Sequence, residues 1–325
     1  MIIPTLRITD PEHYDNMVKS YLSQGIDTIR VNMARHSLER YYEDVSYIQN
    51  ISNNAFHIMV DIPLPGRKYR LALRSEKEIF IQKGELTRFS VRNSKESEKI
   101  TVDIDSFNSV KIGDRIILGD GESIFSVVEA SEKNLLAAAE NNAVLRGQRS
   151  FIVPGALFYQ LYTQQELDEF ITVLRHIHPQ KIVLSFAEDI DVLLNLKTVF
   201  ENELGSVTVV PKIETQTGVD NCETICENFK EIMLGRGDLA LFSDSLYFGE
   251  TQERVINTAQ RCNTNVIVAT DILTSLYQSR IPARGELTDI YYLKSKKIRD
   301  VVSSAGISMQ GELFDLFCQY AKSFR

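Results

Sequence analysis

"VTVVPKIETQTG", residues 207–218, decides how the chain is read. It opens as an interior strand, with Val207, Val209 and Val210, and then carries Lys212 and Glu214. Side chains in a strand alternate faces, so residues two apart project together. An amine and a carboxylate therefore stand side by side at the strand's C-terminal end. Lysine and glutamate are almost never fully buried unless paired. "GVDNCETICENF" follows at helical spacing, so the unit is a strand followed by a helix.

The same unit recurs on both sides. Upstream, "MIIPTLRI", "IDTIRVNM", "AFHIMVDI" and "KIVLSF" read as strands. Downstream, "EIMLGRGD", "NVIVATD" and "IRDVVSSAGI" do the same. With the opening strand this makes eight, and helical periodicity follows each except where an insertion intervenes. Strands alternating with helices pair in parallel. Eight such units predict an α/β fold, a (β/α)8 TIM barrel over residues 1–70 and 154–325, with function at the C-terminal ends of the strands. Residues 71–153 break the alternation. Short β-like runs such as "KITVD" and "VKIGDRIILGDGESIFSVVEAS", with turn signals at Gly113-Asp114 and Asp120-Gly121, predict a small inserted all-β cap domain, a barrel or compact sandwich.

Composition bounds the function. The chain has 325 residues, 25% of them charged, and a formal net charge of −8, which disfavours general nucleic-acid binding. No apolar run is long enough to span a bilayer, and "MIIPTLRITD" has no signal-peptide pattern, so a cytoplasmic protein without membrane attachment is expected. Cys222 and Cys226 fall on one helix face with no further ligand to complete a metal set, and read as buried apolar groups. His176 and His178 read as helix-end cations.

The strand ends carry a set of polar residues. Arg30 and Asn32 end strand two, Asp61 strand three, and Ser185 strand four. Lys212 and Glu214 end strand five, Arg236, Gly237 and Asp238 strand six, and Thr270 and Asp271 strand seven. Such a cluster of desolvated charge is costly unless it binds something. Glu214 and Asp238 offer hard oxygen ligands suited to Mg²⁺ or Mn²⁺. Arg30 and Lys212 beside that metal suit an anionic substrate carrying phosphate or carboxylate. Phosphoryl transfer needs this inventory.

"TIRVNMARHS", "PGRKYR", "VKIGDRIILGDG", "FIVPG", "PKIETQTGVDN", "IMLGRGDLA", "VIVATDIL" and "IPARGELTDI" resemble, in order and near spacing, segments of the pyruvate kinase family. The resemblance implies phosphoryl transfer between phosphoenolpyruvate and ADP, or between ATP and a related small acid. It implies catalytic roles for Lys212, Thr270 and Arg30. Arg30 would bind the substrate phosphate, and Lys212 would neutralise the group in flight. Gly237, Asp238 and Thr270 would hold the substrate carboxylate, with Ser185 among the substrate contacts. Glu214 and Asp238 would hold the metal. Asn32, Arg70 and Lys68 would face the nucleotide.

The chain also departs from the family pattern. Ala34 and Ile62 stand where hydroxyl ligands of a K⁺ site are found, and Lys68 stands where K⁺-independent members carry lysine, so K⁺ is expected not to be required. Arg35 replaces a histidine, and Ile307 a carboxylate. The family's C-terminal effector domain has no counterpart, so control of that kind is expected to be missing, and a homo-oligomer is left open. Two other readings stand beside the kinase. One is a metal-dependent lyase or aldolase acting through a pyruvate-type enolate. The other is a non-catalytic ligand-binding member.

Overall fold

The computed structural model describes residues 1–6, 11–33, 38–62, 69–74, 77–93, 99–156 and 162–322. Eight parallel strands close into a barrel: β1 (Ile2–Leu6), β2 (Thr28–Asn32), β3 (His57–Ile62), β4 (Lys181–Leu184), β5 (Thr208–Ile213), β6 (Glu231–Gly235), β7 (Asn265–Ala269) and β8 (Asp300–Ser303). Each strand pairs with the next in sequence, and β8 pairs back with β1. Helices α1 (Pro11–Ser23), α2 (Leu38–Ile51), α3 (Gln164–Ile177) and α4 (Ile190–Leu204) follow β1, β2, the cap insertion and β4. After β5 and β6 come α5 (Gln216–Asp220), α6 (Cys222–Asn228), α7 (Arg236–Phe242) and α8 (Phe248–Arg261). The barrel ends with α9 (Arg284–Ser295), α10 (Ala305–Ser308) and α11 (Gly311–Ala321).

The barrel interior explains the strand-end pattern. Ile3, Met59, Val183, Val210, Met233 and Ile267 form one buried apolar layer, completed by Ala269 and Val302. Two residues on, on the same strand faces, come Thr5, Asp61, Ser185, Lys212 and Gly235. The period of two thus turns a packed apolar layer into a polar one at the C-terminal end. Register ties it together: Arg30 stands opposite Thr5 and Met59, and Asp61 opposite Asn32 and Val183.

The chain folds into two compact units. One comprises Met1–Pro63, Tyr162–Gly237 and Tyr247–Arg325; the other comprises Leu64–Leu161 and Asp238–Leu246. The second contains a closed seven-stranded barrel, formed by Tyr69–Leu73, Leu86–Val91, Ile100–Val102, Arg115–Leu118, Ser123–Ala130, Asn134–Ala139 and Ser150–Ile152. Glu78–Ile81 and Ala143–Arg146 form a separate two-stranded sheet. The cap core is its own: Phe89 packs edge-on to Phe125 at 5.3 Å and lies 5.7 Å from Phe151.

Three local readings are corrected. The single helix expected over "GVDNCETICENF" is split at Asn221 into α5 and α6. The strand expected through "GRGD" stops at Gly235, and Arg236, Gly237 and Asp238 form the first turn of α7. The last strand ends at Ser303, so "SAGIS" lies beyond it, largely in α10, with Ile307 fully buried. Cys222 and Cys226 are buried thiols 3.8 Å apart. His176 bonds the Thr172 carbonyl and packs edge-on to Tyr42, while His178 caps α3 in a left-handed conformation. Among the described residues, no helix is long and apolar enough to cross a membrane.

Candidate active site

Asp61 is the hub of the polar layer. Its carboxylate is 1% exposed. One oxygen, Oδ2, receives the Lys212 amine at 3.0 Å and the Arg30 guanidinium. The other, Oδ1, accepts from the Ser185 hydroxyl at 2.7 Å. Lys212 also reaches Glu214 Oε1 at 3.2 Å, and Glu214 Oε2 accepts from the Phe186 N–H at 3.0 Å. Arg30 donates through Nη1 to Thr5 Oγ1 at 3.1 Å. Its Nε–H is buried and has no hydrogen-bond partner among the described residues.

The electrostatics follow from this packing. Burial alone would raise the Asp61 carboxyl, but Lys212 and Arg30 overcome it and hold the group well below the usual carboxylate range. Burial alone would lower the Lys212 amine, but Asp61 and Glu214 outweigh it and hold the amine above the ordinary lysine value. Lys212 is therefore a fixed cation at neutral pH.

Glycines at the end of β6 and in the first turn of α7 meet the residues that follow β5 and β7. A Cβ on Gly235 would lie 2.6 Å from Glu214 Cγ and 2.8 Å from its Oε1, so the missing side chain makes the seat for that carboxylate. A Cβ on Gly237 would lie 2.7 Å from Thr270 Cγ2. Thr270 and Asp271 both have positive φ, +76° and +54°. For a β-branched residue this is a real outlier, of a kind that costs about 1–3 kcal/mol and gathers at functional sites.

A family model described as the pyruvate kinase barrel domain matches residues 2–293. The chain belongs to the pyruvate kinase barrel-domain family. It is 27% identical over 296 residues to a pyruvate kinase of Pyrobaculum aerophilum, covering 87% of this chain and 61% of the relative. With a pyruvate kinase of Borreliella burgdorferi it shares 27% identity over 286 residues, 86% of this chain and 58% of the relative. The chain thus spans about three fifths of the length of these curated relatives. In fold it is similar to the crystal structure of a pyruvate kinase from Cryptosporidium parvum, with a TM-score of 0.84, 18% identity, and coverage of 99% of this chain and 69% of that one. The crystal structure of pyruvate kinase from Pyrobaculum aerophilum gives a TM-score of 0.80 at 20% identity, covering 99% of this chain and 72% of that one.

The segments that resemble pyruvate kinase motifs contribute unequally to the geometry. Arg30, Asp61, Ser185, Lys212 and Glu214 form one contact network, and Gly237 meets Thr270. Asp238 lies in the first turn of α7, in a segment that clusters with the second unit. Asn32 accepts from the Tyr41 hydroxyl at its carbonyl, 2.7 Å away. Arg70 lies in the second unit, where it donates to the Gln148 carbonyl at 2.8 Å. Lys68, Ala34 and Arg35 lie outside the described residues.

Sequence reasoning missed several participants. Asp61 was placed at its strand end and, by resemblance, in a monovalent-cation site, but not as the partner of Lys212 and Arg30, although the two-residue step from Met59 already put it on the inner face. Thr5 steadies Arg30. Burial, with Glu166 and Asp61 nearby, pushes the Tyr162 phenol well above its ordinary value. Nothing in the sequence distinguished Arg236 from a cation at the barrel mouth. It is buried and fully engaged in hydrogen bonds.

Proposed function

We propose that the chain is a phosphotransferase of the pyruvate kinase type. It would move a phosphoryl group between phosphoenolpyruvate and ADP, or between ATP and a related small acid, with Mg²⁺ or Mn²⁺. The observation that carries this reading is the pair of cations, Lys212 and Arg30, fixed on one buried carboxylate, with the Arg30 Nε–H unpartnered among the described residues. A phosphoryl group in transfer spreads its charge over three oxygens and is stabilised by cations already in place. A buried donor without an acceptor is unfavourable until an oxyanion meets it.

In this reading Arg30 binds the substrate phosphate and Lys212 neutralises the group as it leaves. The phosphorus–oxygen bond to the enolate breaks and a bond to a terminal ADP oxygen forms. The enolate then takes a proton from solvent water at its methylene carbon, on the side where Thr270 stands. Gly237, Asp238 and Thr270 hold the substrate carboxylate, with Ser185 supporting the site through Asp61. Asn32, Arg70 and Lys68 serve the nucleotide.

The residues suit a hard divalent ion. Glu214 sits in a glycine-made seat, and among the described residues no set of three or more His, Cys, Asp or Glu forms a cage. Mg²⁺ is bound in this way, through one or two carboxylates plus waters and substrate oxygens. Glu214 and Asp238 would hold it, and it would supply charge stabilisation to the substrate oxygens. With Lys68 in place of a glutamate, we expect turnover without K⁺. A cytoplasmic setting suits the four free cysteines.

The test is a coupled assay with ADP, Mg²⁺ and phosphoenolpyruvate, with and without K⁺, beside Lys212→Met. ATP formation in the native chain, indifferent to K⁺ and reduced at least about 100-fold in the variant, is the expected result. ATP formation that survives the substitution would remove the mechanism. Metal-dependent proton exchange on pyruvate without ATP formation would replace it with the lyase.

A further inference from the structure

The most heavily bonded cation near the site plays no part in the reading above. Arg236 opens α7 and is 6% exposed. Its Nε and Nη2 donate to the Thr270 carbonyl at 3.1 and 2.9 Å, and Nη2 also donates to the Asp271 carbonyl at 3.0 Å. Its Nη1 meets both Asp289 oxygens at 2.8 and 2.7 Å, and Gln252 Oε1 at 3.4 Å.

The two carbonyls decide what this does. In a strand, successive carbonyls point to opposite sides. The carbonyls of Thr270 and Asp271 converge on one nitrogen, which requires the chain to turn between them. Asp271, at φ +54°, makes that turn, next to Thr270 at φ +76°. Both are conformations that L-residues with a side chain seldom adopt. A planar guanidinium with a fixed fork of donors can hold such a turn; an ammonium offers no such fork. Asp289 holds the guanidinium from the other side, and Gly237, the next residue, packs against the Thr270 methyl. One dipeptide, Arg236-Gly237, thus grips both the backbone and the side chain of Thr270.

We infer that Arg236 is a positioning residue. It does not meet the reacting atoms; it holds the Thr270–Asp271 turn in its left-handed form and so sets where the Thr270 hydroxyl stands. The catalytic consequence rests on the phosphotransferase reading; the structural clamp does not.

The experiment has two arms. In the ligand-free protein, amide hydrogen exchange is followed across residues 269–273 and across β6 in the native chain and in Arg236→Lys. Exchange at 269–273 rises at least about tenfold while β6 stays protected, because the clamp and not the barrel has been lost. In the assay, Arg236→Lys lowers kcat on the order of 10- to 100-fold, with KM for phosphoenolpyruvate within about threefold. Asp271→Gly in the Arg236→Lys background recovers much of that loss, since glycine adopts positive φ freely. Unchanged exchange at 269–273 would overturn the clamp. So would no recovery from Asp271→Gly. A native chain with no turnover would sink the phosphotransferase reading alone, leaving the exchange arm to decide on Arg236.

Discussion

Asp61 shows how one buried group can set the state of its neighbours. Two cations share its carboxylate, so removing its charge strands both. Asp61→Asn is expected to destabilise the protein by about 3–5 kcal/mol, the usual result of breaking a buried pair from one side. The pH dependence has a definite sign. The Asp61 carboxyl is lowered on folding, so its stabilisation is present above the unfolded value and is lost as pH falls through the folded one. The Lys212 amine is raised, so its stabilisation is present below the unfolded value and is lost as pH rises through the folded one. The gap between native and Asp61→Asn should be widest between about pH 4 and pH 10, narrowing at both ends. Urea midpoints across pH measure it; a gap that widens below that window would contradict the pairing. At this scale the sequence was partly legible. Lys212 and Glu214 were paired by the two-residue period alone. Arg236 was not, because "GRGD" reads the same whether its guanidinium faces substrate or a neighbouring turn.

At the scale of elements, the site is shaped by how β6 ends. Gly235 is the last strand residue, and its bare Cα leaves the space in which Glu214 lies. Gly235→Ala would push a methyl to within 2.6 Å of that side chain, which is itself held by Phe186 and Lys212. The carboxylate must move while the rest of the strand keeps its register with β7. If Glu214 holds the metal as proposed, the Mg²⁺ concentration for half-maximal activity rises about 10–100-fold, as when the support of a metal ligand is disturbed. Titrating Mg²⁺ in the coupled assay checks this; an unchanged midpoint would mean that Glu214 does not hold the ion. Strand and helix order was legible because the apolar period changes from two to 3.6 at each junction. Junction details were not. A seven-residue helix beginning Arg-Gly-Asp has weak propensity and is held by what surrounds it, and the break at Asn221 leaves the helical spacing of apolar residues almost undisturbed.

At the scale of the molecule, two closed barrels each carry a core of their own. The larger packs Ile3, Met59, Val183, Val210, Met233 and Ile267 in its interior; the smaller is built round Phe89, Phe107, Phe125 and Phe151. The cap was expected to be a barrel or compact sandwich and closes as a barrel, but its strand pairing could not be read from the β-like runs: one pair, Leu86–Val91 with Ile100–Val102, is parallel within an otherwise antiparallel sheet. Separate cores imply separate failure. Phe125→Ala removes a ring that is fully buried against Phe89, a change that costs about 3–5 kcal/mol. That loss falls on one core, so cooperative opening should be confined to it. Amide exchange should quicken through Ser123–Ala130, Asn134–Ala139 and Leu86–Val91, while β3, β5 and β6 keep native protection. Equal loss of protection in both barrels would mean that the two fold as one cooperative body. A cap that opens while the polar layer round Asp61 stays closed would instead let the site hold its charges in register through each such opening.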